Sequence, residues 1–152
     1  RDGHPNADMF ADQCRLLHGA ERVIITSSGM AALAAAVLSQ VSQGDHMLVS
    51  NQLYGRSAQL LTAEASRYGV EHTVVDPHDP AALEDSFQEN TRMLVVETIT
   101  NPQLRVADLA QLADVVWNKA ERTMPACAKP PKNRKFTNNV CQARRASPKR
   151  IP

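Results

Sequence analysis

Ser27, Ser28 and Gly29 join an apolar run, RVIIT, to a run of small residues, MAALAAAVL. The chemistry open to such an elbow is anion binding. A helix start carries unpaired N–H donors and the positive end of the macrodipole. Small residues around Gly29 let those donors approach a phosphate closely. A plain serine N-cap, followed by alanines that allow tight helix–sheet packing, accounts for the same residues. Local features alone leave both readings open. His18, His46, His72 and His78 lack metal-ligand spacing and are expected to be structural or exposed. The run DPHDP, residues 76–80, reads as a capped turn rather than a cation site, with Asp79 the cap and Pro80 at the first helical position.

The elements that must position the elbow alternate. Phe10, Cys14 and Leu17 fall at helical spacing, with Gly19 as the stop. RVIIT predicts a strand, and Met30 to Val41 a helix. Met47 to Ser50 predicts a second strand, Arg56 to Tyr68 a helix that Gly69 ends. In VEHTVVD, Val70, His72 and Val74 alternate against Glu71 and Thr73, a third strand. A short helix follows Asp79. RMLVVET predicts a fourth strand, apolar enough to be buried on both faces. A turn at Asn101-Pro102 leads to a helix burying Leu109, Leu112 and Val116. This order predicts an α/β fold, a mostly parallel sheet with flanking helices. In such a sheet ligands bind beyond the carboxyl ends of the strands.

The formal net charge of +1 averages two unlike stretches. Residues 1–118 hold seven arginines, no lysine and fifteen acids, a net of −8. Residues 119–152 hold ten basic residues and one acid, a net of +9. That second stretch has no leucine and five of the nine prolines, so it is expected to be an unrelated, disordered basic tail. Cys14, Cys127 and Cys141 form no CxxC pair, and their odd number cannot all pair within one chain. A reduced, cytoplasmic compartment is expected. No apolar run approaches the ~18 residues of a membrane span, and RDGHPNAD lacks the apolar region of a signal peptide.

Four ordered motifs carry a specific resemblance. SSGMAAL, GDHMLVSNQLYG, NTRMLVVETITNP and LRVADLAQLA resemble the pyridoxal-phosphate enzymes of cysteine and methionine metabolism: cystathionine synthases and lyases, and homoserine sulfhydrylases. The opening RDGHPNA is similar to that family's Arg-x-Gly-Asn-Pro-Thr segment, with His4 and Asn6 as departures. The resemblance runs from Arg1 to Val116 and implies an aspartate aminotransferase-like large domain, here incomplete. It implies pyridoxal 5'-phosphate as cofactor, an amino-acid substrate, and a homotetramer with shared active sites. Gly29 and Met30 would offer N–H groups to the cofactor phosphate. Tyr54 would stack on the pyridine ring and assist proton movement. Asn101 would bond the ring-hydroxyl side of the cofactor or the substrate, and Glu97 would order that corner. Arg1 matches an arginine that reaches a neighbouring subunit's phosphate.

Two groups of that chemistry find no match. The family's aspartate, which keeps the pyridine nitrogen protonated, lies in a Val-Asp-Asn-Thr-Phe segment. Its lysine, which joins the cofactor covalently and shuttles protons, lies in a Ser-x-Thr-Lys segment. The resemblance stops after Trp117. The expectation is therefore a truncated or frame-shifted cofactor domain with little or no turnover. The alternatives are non-specific nucleic-acid binding through the basic tail and an interaction role for a partial sheet.

Overall fold

The computed structural model describes residues 4–100, 103–123 and 140–142. Two compact units divide between Val37 and Leu38. The first contains α1 (Pro5–His18) and all but the last residue of α2 (Gly29–Leu38). His4 caps α1, its Nδ1 accepting the Asn6 N–H at 3.3 Å, and Pro5 opens the helix. Gly19 closes it in the left-handed region at φ 55°, the stop that its sequence position predicted. No residue of α1 is buried. α2 ends at Leu38, short of the expected Val41.

RVIIT is not a strand. Residues 22–26 lack regular structure, and Ile24 is 84% exposed. β-propensity is realised only where a neighbouring strand takes up the backbone hydrogen bonds. Among the described residues no strand pairs with this run.

The second unit is built on β1 (His46–Ser50), β2 (Glu71–Val75), β3 (Thr91–Val95) and β4 (Val140–Gln142), in the order β2-β1-β3-β4. β1 runs parallel to both neighbours, with Val49 opposite Val74 and Val95. β4 is antiparallel to β3. The predicted α/β class and mostly parallel sheet are thus borne out.

Between β1 and β2 runs one helical stretch: α3 (Gly55–Gln59), a π-helical turn (Leu60–Glu64) and α4 (Ala65–Arg67). Gly69 ends it at φ 75°, where a Cβ would lie 2.7 Å from the Gln43 side chain, so only glycine fits. α5 (Pro80–Asp85) links β2 to β3, capped by Asp79, whose Oδ1 accepts the Ala82 N–H at 3.0 Å. The long α6 is Leu109–Thr123.

Side chains from β1 and β3 alternate between two buried faces, as the apolar run in β3 predicted. Leu48, Leu94 and Val96 pack with Val75, Leu83, Ala107, Leu112 and Val116, against which Leu109 and Phe87 also lie. Burying each leucine contributes about 1.5–3 kcal/mol. Met47, Val49, Met93 and Val95 alternate with them and are equally enclosed. The expected alternation in β2 is wrong in phase. Val75 is buried, while Val74 is 53% exposed. β2 borders the sheet, so only the residue aimed at the Leu48–Leu83 cluster is covered. α6 continues past Asn118, where the tail was expected to start, and Val140–Gln142 pairs with β3. The remainder of the expected disordered tail lies outside the described residues.

Candidate cofactor site

The elbow belongs to the first unit. Thr26 Oγ1 donates to the Ser28 carbonyl at 2.9 Å and fixes the approach. Ser28 is the N-cap: its Oγ accepts the Ala31 N–H at 3.1 Å, and its carbonyl accepts the first helical bond from Ala32 at 3.0 Å. The plain capping reading is therefore realised, and it leaves two donors over. The Gly29 and Met30 N–H groups precede the first helical bond and meet no acceptor among the described residues. A Cβ at Gly29 would meet nothing within 4 Å, so the space beside these donors is open. The elbow can hold an anion.

Tyr54 and Glu97 belong to the second unit, at the carboxyl ends of the paired strands β1 and β3. The Tyr54 N–H donates to Glu97 Oε1 at 2.9 Å. The Tyr54 carbonyl accepts the first α3 bond from Ala58 at 2.9 Å, so the residue is fixed at both backbone ends. The residue is 52% exposed. A fixed backbone beneath a half-open ring suits stacking on a flat heterocycle. Arg1 and Asn101 fall outside the described residues.

Sequence reasoning took His78 as structural or exposed and Asp76 as part of a turn, and so missed a polar cluster beside this corner. Asp76 Oδ1 accepts the His78 N–H at 2.9 Å and lies 3.1 Å from His78 Nδ1. Gln52 Nε2 donates to the same oxygen at 3.4 Å. The backbone N–H of His78, above all, holds the Asp76 carboxyl below the usual carboxylate range; burial works against it, while the His78 ring and Arg105 assist. Three polar residues just past the ends of β1 and β2 were the available signal. Among the described residues no group of three His, Cys, Asp or Glu side chains could hold a metal ion.

A mostly parallel sheet with flanking helices, whose ligands sit beyond the carboxyl ends of the strands, defines the class as an α/β protein of the open-sheet kind. The family described as Cys/Met metabolism PLP-dependent enzyme matches residues 1–125. The chain belongs to that family, whose cofactor is pyridoxal phosphate. It is 35% identical over 115 residues to an L-methionine gamma-lyase of Porphyromonas gingivalis, covering 76% of this chain and 29% of the relative. It is 38% identical over 109 residues to a cystathionine beta-lyase of Bacillus subtilis, covering 72% and 28%. The structure of an O-acetylhomoserine sulfhydrylase of Wolinella succinogenes superposes with a TM-score of 0.73 at 36% identity, covering 76% of this chain and 34% of that one. The chain thus spans less than a third of the length of these two curated relatives.

Proposed function

We propose that residues 1–118 are the cofactor-holding front of an enzyme that eliminates or replaces groups at the γ or β carbon of sulfur amino acids or homoserine esters. The observation that carries this reading is the 2.9 Å hydrogen bond from Tyr54 N–H to Glu97 Oε1, which braces a half-exposed phenol at the strand ends. The open Gly29 and Met30 amides fit the phosphate of pyridoxal phosphate, which they would bind. Tyr54 would cover one ring face, exclude water there, and move a proton at its phenolic oxygen. Glu97 holds the Tyr54 turn. Asn101 would bond the ring-hydroxyl side of the cofactor or the substrate. Arg1 would reach the phosphate of a neighbouring subunit in a homotetramer with shared sites. When bound, the cofactor supplies an electron sink for breaking bonds around the amino-acid α carbon. The compartment in this reading is the cytoplasm, in keeping with three cysteines that form no paired motif.

Residues 1–118 contain no lysine, so this stretch has no side-chain amine to join the cofactor covalently. Lys119 lies on α6, where its Nζ donates to the Glu84 carbonyl at 3.2 Å and is engaged there. The other four lysines stand in a proline-rich stretch without apolar periodicity, and catalysis needs a group held in place. The 152-residue chain should therefore bind pyridoxal phosphate reversibly and turn over little or no substrate. Equilibrium dialysis, followed by borohydride reduction and peptide mapping, tests this. The expected result is saturable binding with no side-chain adduct in residues 1–118. A reduced adduct on a side chain there, or turnover of cystathionine, would overturn the expected inactivity. A second reading, polyanion binding by residues 119–152, is supported by their net charge of +9.

A further inference from the structure

After β3 the chain turns back on itself in two arms, residues 98–100 and 103–107, which flank Asn101 in sequence. Ile99 bridges Val106, the Thr100 N–H donates to the Arg105 carbonyl at 2.9 Å, and the Ala107 N–H donates to the Thr98 carbonyl at 3.1 Å. Thr100 also accepts twice from the returning arm: from Leu104 N–H at its carbonyl and from Arg105 N–H at Oγ1, both at 2.9 Å. Leu104 sits at φ 53° although it is not glycine, and the residue is 72% exposed. A leucine in that region persists only where its surroundings over-determine the backbone. Four hydrogen bonds join the arms, and a clamp from outside adds to them.

His78 supplies that clamp. Its Nε2 lies 3.3 Å from the Val106 carbonyl, an acceptor, so a bond forms there in the tautomer that carries the proton on Nε2, with Gln52 Nε2 3.5 Å from Nδ1 as that nitrogen's donor. The other ring edge faces Asp76 Oδ1 at 3.1 Å, and Asp76 Oδ2 lies 3.9 Å from Arg105 on the same arm. Gln52 ties Asp76 to the β1 end, two residues before Tyr54. Gln52 Oε1 is buried and unpartnered among the described residues, so its amide is held by this network alone.

We propose that His78 is a positioning residue: its ring joins the Asp76 turn to the Val106 carbonyl and so holds residues 103–107 and the Gln52–Tyr54 turn together as one ligand-binding surface beside Tyr54. Its bearing on ligand rests on the cofactor reading given under Proposed function. The latch itself does not, because its contacts lie wholly within the chain.

The test combines two measurements on the full chain. Amide hydrogen exchange without ligand compares wild type, His78→Ala and His78→Asn, the last able to donate one bond to the Val106 carbonyl. In His78→Ala, exchange at Leu104, Arg105 and Ala107 should rise by about tenfold or more, while Val49 and Val95 keep their protection. His78→Asn should restore part of the difference. Pyridoxal phosphate binding should weaken several-fold in His78→Ala, and less in His78→Asn. Equal exchange in all three proteins would overturn the latch. Loosened arms with unchanged affinity would overturn its positioning role. If His78→Ala fails to fold, His78→Phe, which keeps an aromatic ring but no donor, should give the same localised loosening; its absence would overturn the proposal too. Failure of wild type to bind pyridoxal phosphate would instead remove the cofactor reading, with the exchange data still deciding the latch.

Discussion

His46 lies fully buried at the start of β1, with Nδ1 2.8 Å from Thr91 Oγ1 of β3 and Nε2 2.9 Å from Thr73 Oγ1 of β2. One imidazole thus ties three strands. Burial lowers its pKa from the ordinary 6.5; the Glu71 carboxylate works against this, and His72 adds to it. The neutral ring is therefore the one the fold stabilises. Between the folded pKa and 6.5, the unfolded chain binds a proton that the folded chain refuses. The contribution is complete above that ordinary value and is lost as the pH falls through the window below it. Unfolding free energies from urea titrations between pH 7.5 and 5.5 should fall with pH, by at most about 1.4 kcal/mol per unit from this one group. His46→Gln, which keeps hydrogen-bonding ends but cannot titrate, should flatten that fall. An unchanged slope would show that His46 is protonated as readily in the sheet as in the open chain.

At the scale of elements, α2 is tested by a single substitution. Gly29 is the first residue of the helix, its N–H takes no helical bond, and the space around it is open. Proline at that position removes the donor, keeps a helical φ and suits the extended residue expected at the Ser28 cap. Gly29→Pro should leave the melting temperature within a few degrees of wild type and weaken pyridoxal phosphate binding. A hydrogen bond to a charged group is worth about 1.5–3 kcal/mol, so the loss is on the order of tenfold or more. Unaltered affinity would mean that the elbow is only a capped helix start. The same element shows what was legible. Capping residues carry their own geometry, so Ser28, Asp79-Pro80, Gly19 and Gly69 were readable from local chemistry. RVIIT and Val74 were not, because a strand and its inner face are decided by which neighbour pairs and which cluster it meets. Gly29 came into view through the elbow's own chemistry, while Tyr54 and Met30 were expected only through the ordered motifs. The bond from Tyr54 to Glu97 spans forty-three positions, and no local pattern encodes it.

For the whole molecule, charge and fold divide the chain at different points. Basic residues gather from Lys119 onward, yet α6 continues to Thr123 and buries Leu112 and Val116 in the core. Cutting at Asn118 would shorten a helix that the core uses, and any loss of binding would then be confounded with loss of fold. A cut after Thr123 keeps α6 whole and removes eight of the ten basic residues. It also removes β4 and uncovers one edge of β3, so size-exclusion chromatography must first show that the shortened chain has not aggregated. With residues 1–118 at −8, the body repels polyanions, and any affinity for them must come from the residues removed. The full chain should retain duplex DNA on a filter at about 50 mM salt and lose on the order of 10³-fold or more by 200 mM if six or more phosphates are neutralised. The chain ending at Thr123 should retain none. Equal retention by both would place the affinity in the acidic body, where this charge distribution offers it no source.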